Sequence, residues 1–179
     1  MRGRPPPARH FLYTRAHPPM TIIISADVRI ARPVDVVFAL AAGRTANLAR
    51  FFAGHKPLIP GIRSATLVGH DDPPVAGSLR DVVLSDGTKI QERVLAFDAP
   101  RLHRYDMAKM NPLQRLICTN MVSEWRFEPD GEAASRITWE YAIHERGVVG
   151  RLLGPLVARY FQRAMQSCLD KVGRAALAG

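Results

Sequence analysis

Cysteine is scarce: the 179 residues hold two, Cys118 and Cys168, far apart and each in an apolar stretch. With no CxxC pair and no Cys/His cluster at ligand spacing, neither a disulfide framework nor a zinc site can be assembled, so a reducing cytoplasm is the expected home. No run of about eighteen apolar residues exists to cross a bilayer. The N-terminus carries arginines without the apolar segment of a secretory signal. Catalytic signatures are missing too: there is no GxSxG, HExxH, Gly-rich phosphate loop or Cys/His nucleophile pair. Gly147-Val148-Val149-Gly150 lacks the Lys and Ser/Thr that would complete such a loop, and the histidines at 10, 17, 55, 70, 103 and 144 have no metal-ligand spacing. No metal and no nucleotide cofactor are therefore expected.

What is present is the composition of one globular domain, 47% apolar and 23% charged. The formal charge of +9 is uneven. Residues 1–19 hold Arg2, Arg4, Arg9 and Arg15 and no acid, leaving +5 for the rest. The remaining arginines are scattered instead of clustered, which argues against nucleic-acid binding. Five of the fourteen prolines also fall in residues 1–19, which should form a disordered basic tail. Because Met20 directly precedes the first strand pattern, translation starting at Met20 is one reading of this tail. A basic arm for anionic partners is the other, and intact mass separates them. Residues 20–179 form the expected domain.

From Thr21 to Ala31, Ile22, Ile24, Ala26, Val28 and Ile30 alternate with polar residues, the mark of a half-buried strand. Pro33 then opens a helix with Val34, Val37, Phe38 and Ala41 on one side, ended by Gly43. A second short helix is expected near Thr45 to Phe52, before the breakers Gly54, Pro57, Pro60 and Gly61. Ile62 to Val68 reads as a strand.

The next hairpin can be registered by charge. A two-residue turn at Asp86-Gly87 would set Arg80 opposite Arg93. A three-residue loop, Ser85-Asp86-Gly87 with Gly87 left-handed, instead pairs Arg80 with Glu92 and Val82 with Ile90. The second register is preferred, and it carries Arg80 and Glu92 inward beside Val82, Leu84, Ile90 and Val94. Opposite charges in an interior must be paired or kept wet. They are either a salt bridge at the sheet rim or a polar anchor in an apolar pocket.

Leu102 to Met107 continues as a strand with His103, Tyr105 and Met107 on one face. The apolar loop after Asn111-Pro112 is either a lid over a pocket mouth or a helical turn packed on the core. Two long strands follow, with Met121, Ser123, Trp125 and Phe127 sharing one face and Ile137, Trp139, Tyr141 and Ile143 another, so both tryptophans point to one interior. Finally, from Pro155 onward Val157, Phe161, Ala164, Met165, Cys168 and Val172 oppose Arg159, Arg163, Gln166, Asp170 and Arg174. This is an amphipathic helix of about five turns that packs on a sheet or roofs a cavity.

In this order, Ala26 to Phe38, Gly77-Ser78-Leu79-Arg80, Asp86-Gly87, Glu92-Arg93-Val94, Phe97-Asp98-Ala99-Pro100 and Leu102 to Tyr105 resemble the START-like (SRPBCC, birch-pollen-allergen type) superfamily, especially its polyketide cyclase/dehydrase-like members. The likeness covers about Met20 to Ala176. It implies an α+β helix-grip fold, a seven-stranded curved antiparallel sheet around the long C-terminal helix with two short helices after the first strand, and a cavity for lipids, sterols, polyketides or similar compounds. It does not imply a reaction.

Three functions stay open. One is a carrier or sensor whose pocket is lined by Tyr105, Trp125, Trp139, Tyr141, Phe161 and Met165, with Arg80 and Glu92 as anchors. The second is a cyclase or dehydratase in which Glu92, Tyr105 or His103 moves a proton. The third is a chaperone-assisting interaction module that docks a partner by its helix face or sheet edge. The partner expected first is an apolar small molecule. Nucleic acid and a membrane span are not expected, and a homodimer is compatible with the pattern.

Overall fold

The computed structural model describes residues 20–69 and 72–179, so the expected tail at 1–19 lies outside the described residues. The chain runs β1 (Thr21–Ile30), α1 (Val34–Ala41), α2 (Asn47–Phe51), β2 (Gly54–His55), β3 (Ile59–Pro60), β4 (Ile62–Leu67), β5 (Leu79–Leu84), β6 (Lys89–Asp98), β7 (Leu102–Lys109), α3 (Pro112–Ile117), β8 (Cys118–Pro129), β9 (Ser135–Glu145) and α4 (Gly147–Ala178). Seven strands form one antiparallel sheet in the order β1-β9-β8-β7-β6-β5-β4. From β4 onward neighbours in sequence are neighbours in the sheet, while α1 and α2 carry the chain from one edge strand, β1, to the other, β4. This is the helix-grip arrangement, with α4 lying on the concave face and packing chiefly along β1.

Alternation places the strands. Ile24, Ala26 and Ile30 of β1 are buried while Thr21, Ser25, Asp27 and Arg29 are exposed. Met121, Ser123, Trp125 and Phe127 of β8 and Ile137, Trp139, Tyr141 and Ile143 of β9 are all buried on the shared inner face. The outer face carries Glu124, Arg126 and Glu140, where Arg126 bridges both carboxylates. Register shifts occur at Ile62/Ser64, Gln91/Glu92, Val94/Ala96 and Cys118/Asn120. An extra residue on one strand bends it and sharpens its twist, so these shifts are where the sheet acquires its curl.

The β5–β6 hairpin adopts the three-residue loop. Arg80 pairs with Glu92 and Val82 with Ile90. The Leu84 N–H donates to the Thr88 carbonyl at 2.8 Å and the Gly87 N–H to the Leu84 carbonyl at 3.0 Å. Gly87 has φ +88°, a left-handed conformation that glycine adopts without a Cβ penalty.

The second short helix runs Asn47–Phe51, within the expected Thr45 to Phe52. Two local expectations are corrected. The breaker segment after α2 forms a small hairpin of two-residue strands, β2–β3. The long helix starts at Gly147, eight residues before Pro155, and its 32 residues span ~48 Å. Residues 147–156 are apolar around most of the helix, so no amphipathic period marks them, and Pro155 mimics a first-turn proline.

Candidate functional site

The helix α4 meets the sheet in two different ways. Its second half is seated: Met165, Leu169 and Val172 are essentially without solvent exposure, each worth about 1.5–3 kcal/mol of burial. Its first half is pinned near its start by close-packed glycines, and Ala158 is buried further along. A Cβ on Gly150 would lie 2.3 Å from the Ile117 carbonyl oxygen, and one on Gly154 would lie 2.7 Å from Glu145 Oε1. The missing side chains thus let the helix press against the start of β8 and the end of β9. Between these two anchor points the curved sheet falls away from the helix, and a chamber of about 340 Å³ is left.

The wall of this chamber grades from wet to dry. Leu58, Leu113, Leu153 and Leu156 line it yet are exposed, which marks the mouth. Asn111 and Gln114 sit there as well, tied into a capping box that fixes the start of α3. The apolar loop of the sequence is therefore a capped helical turn at the mouth, with Ile117 buried beneath it. Further in come Leu84, Ile90, Met107 and Ile143, and deepest Tyr105, Trp139 and Tyr141 beside one carboxylate, Glu92, with the half-buried Phe161 of α4 facing them. Tyr141 and Phe161 meet edge to face at 4.7 Å.

Glu92 is held from behind. Arg80 Nε donates to Glu92 Oε2 at 2.7 Å, and Arg80 Nη2 lies 2.5 Å from the same oxygen without the angle of a hydrogen bond. The side chains are 1% and 4% exposed, which leaves the two charges only each other as ionic partners. Burial opposes the Arg80 charge most strongly, but attraction and hydrogen bonding to Glu92, with Tyr105 and Tyr141 adding to them, together outweigh it, and its pKa stands above the ordinary arginine value. The guanidinium also lies over the Tyr105 ring, 4.7 Å from its centre. Burial, reinforced by the Glu92 charge, raises the Tyr105 pKa. Burial also pushes Tyr141 well above the ordinary tyrosine value, with Tyr105 and Glu92 adding to it. Both phenols therefore stay protonated in neutral solution. The inner end of an apolar chamber presents two neutral O–H groups and one carboxylate, enough to orient a carbonyl or hydroxyl and to accept a proton.

The residues expected to line a pocket divide into two groups. Glu92, Tyr105, Trp139, Tyr141 and Phe161 stand on the chamber wall. Arg80, Trp125 and Met165 stand behind it. Arg80 reaches the chamber only through Glu92. Trp125 lies 4.1 Å from Trp139, tilted at 30°, and continues into Phe127 and Phe38 as a packed aromatic row. Met165 belongs to the seated half of α4. The two indoles differ: Trp139 Nε1 donates to Ser123 Oγ at 2.9 Å, while Trp125 Nε1 is buried without a partner among the described residues. His103, offered as a proton carrier, is not on the wall. It packs between Phe97 and Tyr105 with Nε2 unpartnered, and burial together with the Arg80 charge holds its pKa well below the ordinary value. The sequence pattern missed the mouth residues Leu58, Leu153 and Leu156, because they fall in stretches without periodicity.

The family model described as polyketide cyclase/dehydrase and lipid transport matches residues 21–176. Among solved structures, a norcoclaurine synthase point mutant from Thalictrum flavum in complex with a transition-state analogue is 19% identical, over 89% of this chain and 96% of that one, with a TM-score of 0.67. The ZhuI aromatase/cyclase from Streptomyces sp. R1128 is 14% identical over 88% and 94%, with a TM-score of 0.68. The protein XoxI from Bacillus cereus is 20% identical over 87% and 95%, with a TM-score of 0.65. At such identities the likeness is one of fold. No curated protein matches the sequence.

Proposed function

The chain belongs to the polyketide cyclase/dehydrase and lipid transport family, and from that premise we propose that it binds an apolar small molecule bearing a carbonyl or hydroxyl group, as a carrier or sensor. The observation that carries this reading is the inner end of the chamber, where Glu92 and the phenols of Tyr105 and Tyr141 face an otherwise apolar space. A buried carboxylate costs several kcal/mol to desolvate. Placing one at the end of a cavity is reasonable where a polar ligand group or water meets it. An aromatic or polyketide-like molecule would lie against Trp139 and Phe161, its oxygen toward Tyr141 and Glu92.

A second reading, a cyclase or dehydratase working in the same chamber, is favoured by one feature: proton donors and a proton acceptor converge on one spot. Such a site would accelerate reaction chiefly by folding the substrate, with Tyr141 polarising a carbonyl and Glu92 taking a proton.

The test is titration with the fluorescent probe anilinonaphthalene sulfonate, followed by competition with aromatic and fatty acyl compounds, alongside native mass spectrometry of protein from its source. Saturable binding at one site is expected. Leu156→Trp at the mouth should weaken it at least about tenfold, while Glu92→Gln and Tyr141→Phe should alter ligand preference. Folded protein that binds neither probe nor competitor would overturn the proposal. Turnover of a bound aromatic or polyketide-like compound that is lost in Glu92→Gln, with binding retained, would select the enzyme.

A further inference from the structure

Among the described residues, the surface around the chamber mouth is apolar and stands uncovered. On α4, Val148, Leu152 and Leu156 follow one another at intervals of four and are 71%, 74% and 51% exposed. Leu153 and Val149 flank them, and α3, packed beside α4, adds Leu113 and Leu116 at 61% and 52%. Leu113, Leu153 and Leu156 also line the chamber, so this patch and the chamber interior are continuous. The same outward side of α4 continues one and two turns later as Arg159 and Arg163, both exposed. Residues 146–169 contain four arginines and no acidic residue, and residues 107–119 add Lys109 and Arg115, again with no acid. Of the acids that line the chamber, Asp86 sits at the tip of the β5–β6 hairpin and Glu92 at the inner end, while Glu145 is buried under Gly154.

We propose that this face docks on an anionic phospholipid bilayer, with the leucines and valines entering the headgroup boundary and the arginines engaging lipid phosphates. Branched aliphatic side chains with a cationic collar are the chemistry of an interfacial helix. A second copy of the chain is the poorer occupant, because a symmetric contact would set arginine against arginine. Docking would also let an apolar ligand pass between bilayer and chamber without crossing water. That route rests on the proposed ligand-binding function, whereas the docking does not.

Cosedimentation of the full-length chain with phosphatidylcholine vesicles, with and without about a third phosphatidylglycerol, tests the proposal. Binding should require phosphatidylglycerol and weaken with salt. Leu116→Glu/Leu152→Glu, neither residue lining the chamber, should weaken it about tenfold or more while leaving probe binding in the chamber intact. Arg159→Glu/Arg163→Glu should do the same. No association with the anionic vesicles would overturn the proposal. So would association unchanged in the leucine variant, which would mean contact through basic residues elsewhere, including residues 1–19, and so would a solution dimer that Leu152→Glu dissolves. Vesicle binding that fails while probe binding survives refutes the docking alone.

Discussion

The Arg80–Glu92 pair makes an asymmetric prediction. Removing one member of a buried pair strands the other, at about 3–5 kcal/mol, whereas replacing both with apolar residues is often neutral. The two positions differ in what they face. Glu92 lies on the chamber wall, where water can reach an orphaned carboxylate; Arg80 is enclosed behind it, against Tyr105. Glu92→Leu should therefore cost more than Arg80→Met, with Glu92→Leu near the upper end of the range and Arg80→Met near the lower. For a chain of this size, about 3–5 kcal/mol corresponds to a fall in Tm of about 6–20 °C. The Arg80→Met/Glu92→Leu double variant should recover most of the loss. Urea denaturation of the four proteins, read by tryptophan fluorescence, measures this directly. If each single variant costs less than about 1 kcal/mol, the range of exposed pairs, the charges are hydrated and the enclosed-anchor reasoning fails. If Arg80→Met is the costlier variant, the assignment of Glu92 to the wetter side is wrong.

Other consequences follow from the same geometry. His103 is held neutral, its folded pKa depressed below the unfolded value of about 6.5, so the unfolded chain takes up a proton that the native chain refuses. Stability should fall as pH drops below about 6.5, by at most about 1.4 kcal/mol per pH unit, until the folded pKa is reached. Melts of His103→Phe should show a shallower acid slope; an identical slope would assign the proton uptake elsewhere. Gly150→Ala forces a Cβ against a backbone carbonyl and should cost about 1–3 kcal/mol, while Gly154→Ala meets a movable carboxylate and should cost less, as chemical denaturation would register. Burial pushes the Cys118 thiol up to about 11 and the Cys168 thiol up to about 12. Both should react slowly with iodoacetamide in the native protein, Cys118 first because it lines the chamber, and a chamber ligand should slow it further.

Much of the fold was legible because alternation is strict. From Met121 onward in β8 and throughout β9 every second side chain faces inward, and the register of the β5–β6 hairpin followed from keeping Arg80 away from Arg93. The start of α4 was not legible. Its first two turns are apolar on both the chamber side and the outward side, so the period that betrays the later turns is absent. The two-residue strands β2 and β3 have too few residues to carry a pattern. Of the eight candidate pocket residues, five reach the chamber and three do not, though all eight lie on the correct inward faces. Facing inward and facing a cavity look the same in a periodic pattern, because both demand apolar side chains.

The order of residues alone determined which faces turn inward, which strands pair, and that one arginine and one glutamate enter the interior together. These are local matters, governed by the two-residue period of a strand, the 3.6-residue period of a helix and the repulsion of like charges. Only the tertiary structure decided where the interior is empty. That depends on the stand-off between α4 and a sheet bent by its register shifts, seated at Met165 to Val172 and pinned at Gly150 and Gly154, and such a distance arises only when elements far apart in the chain are brought together.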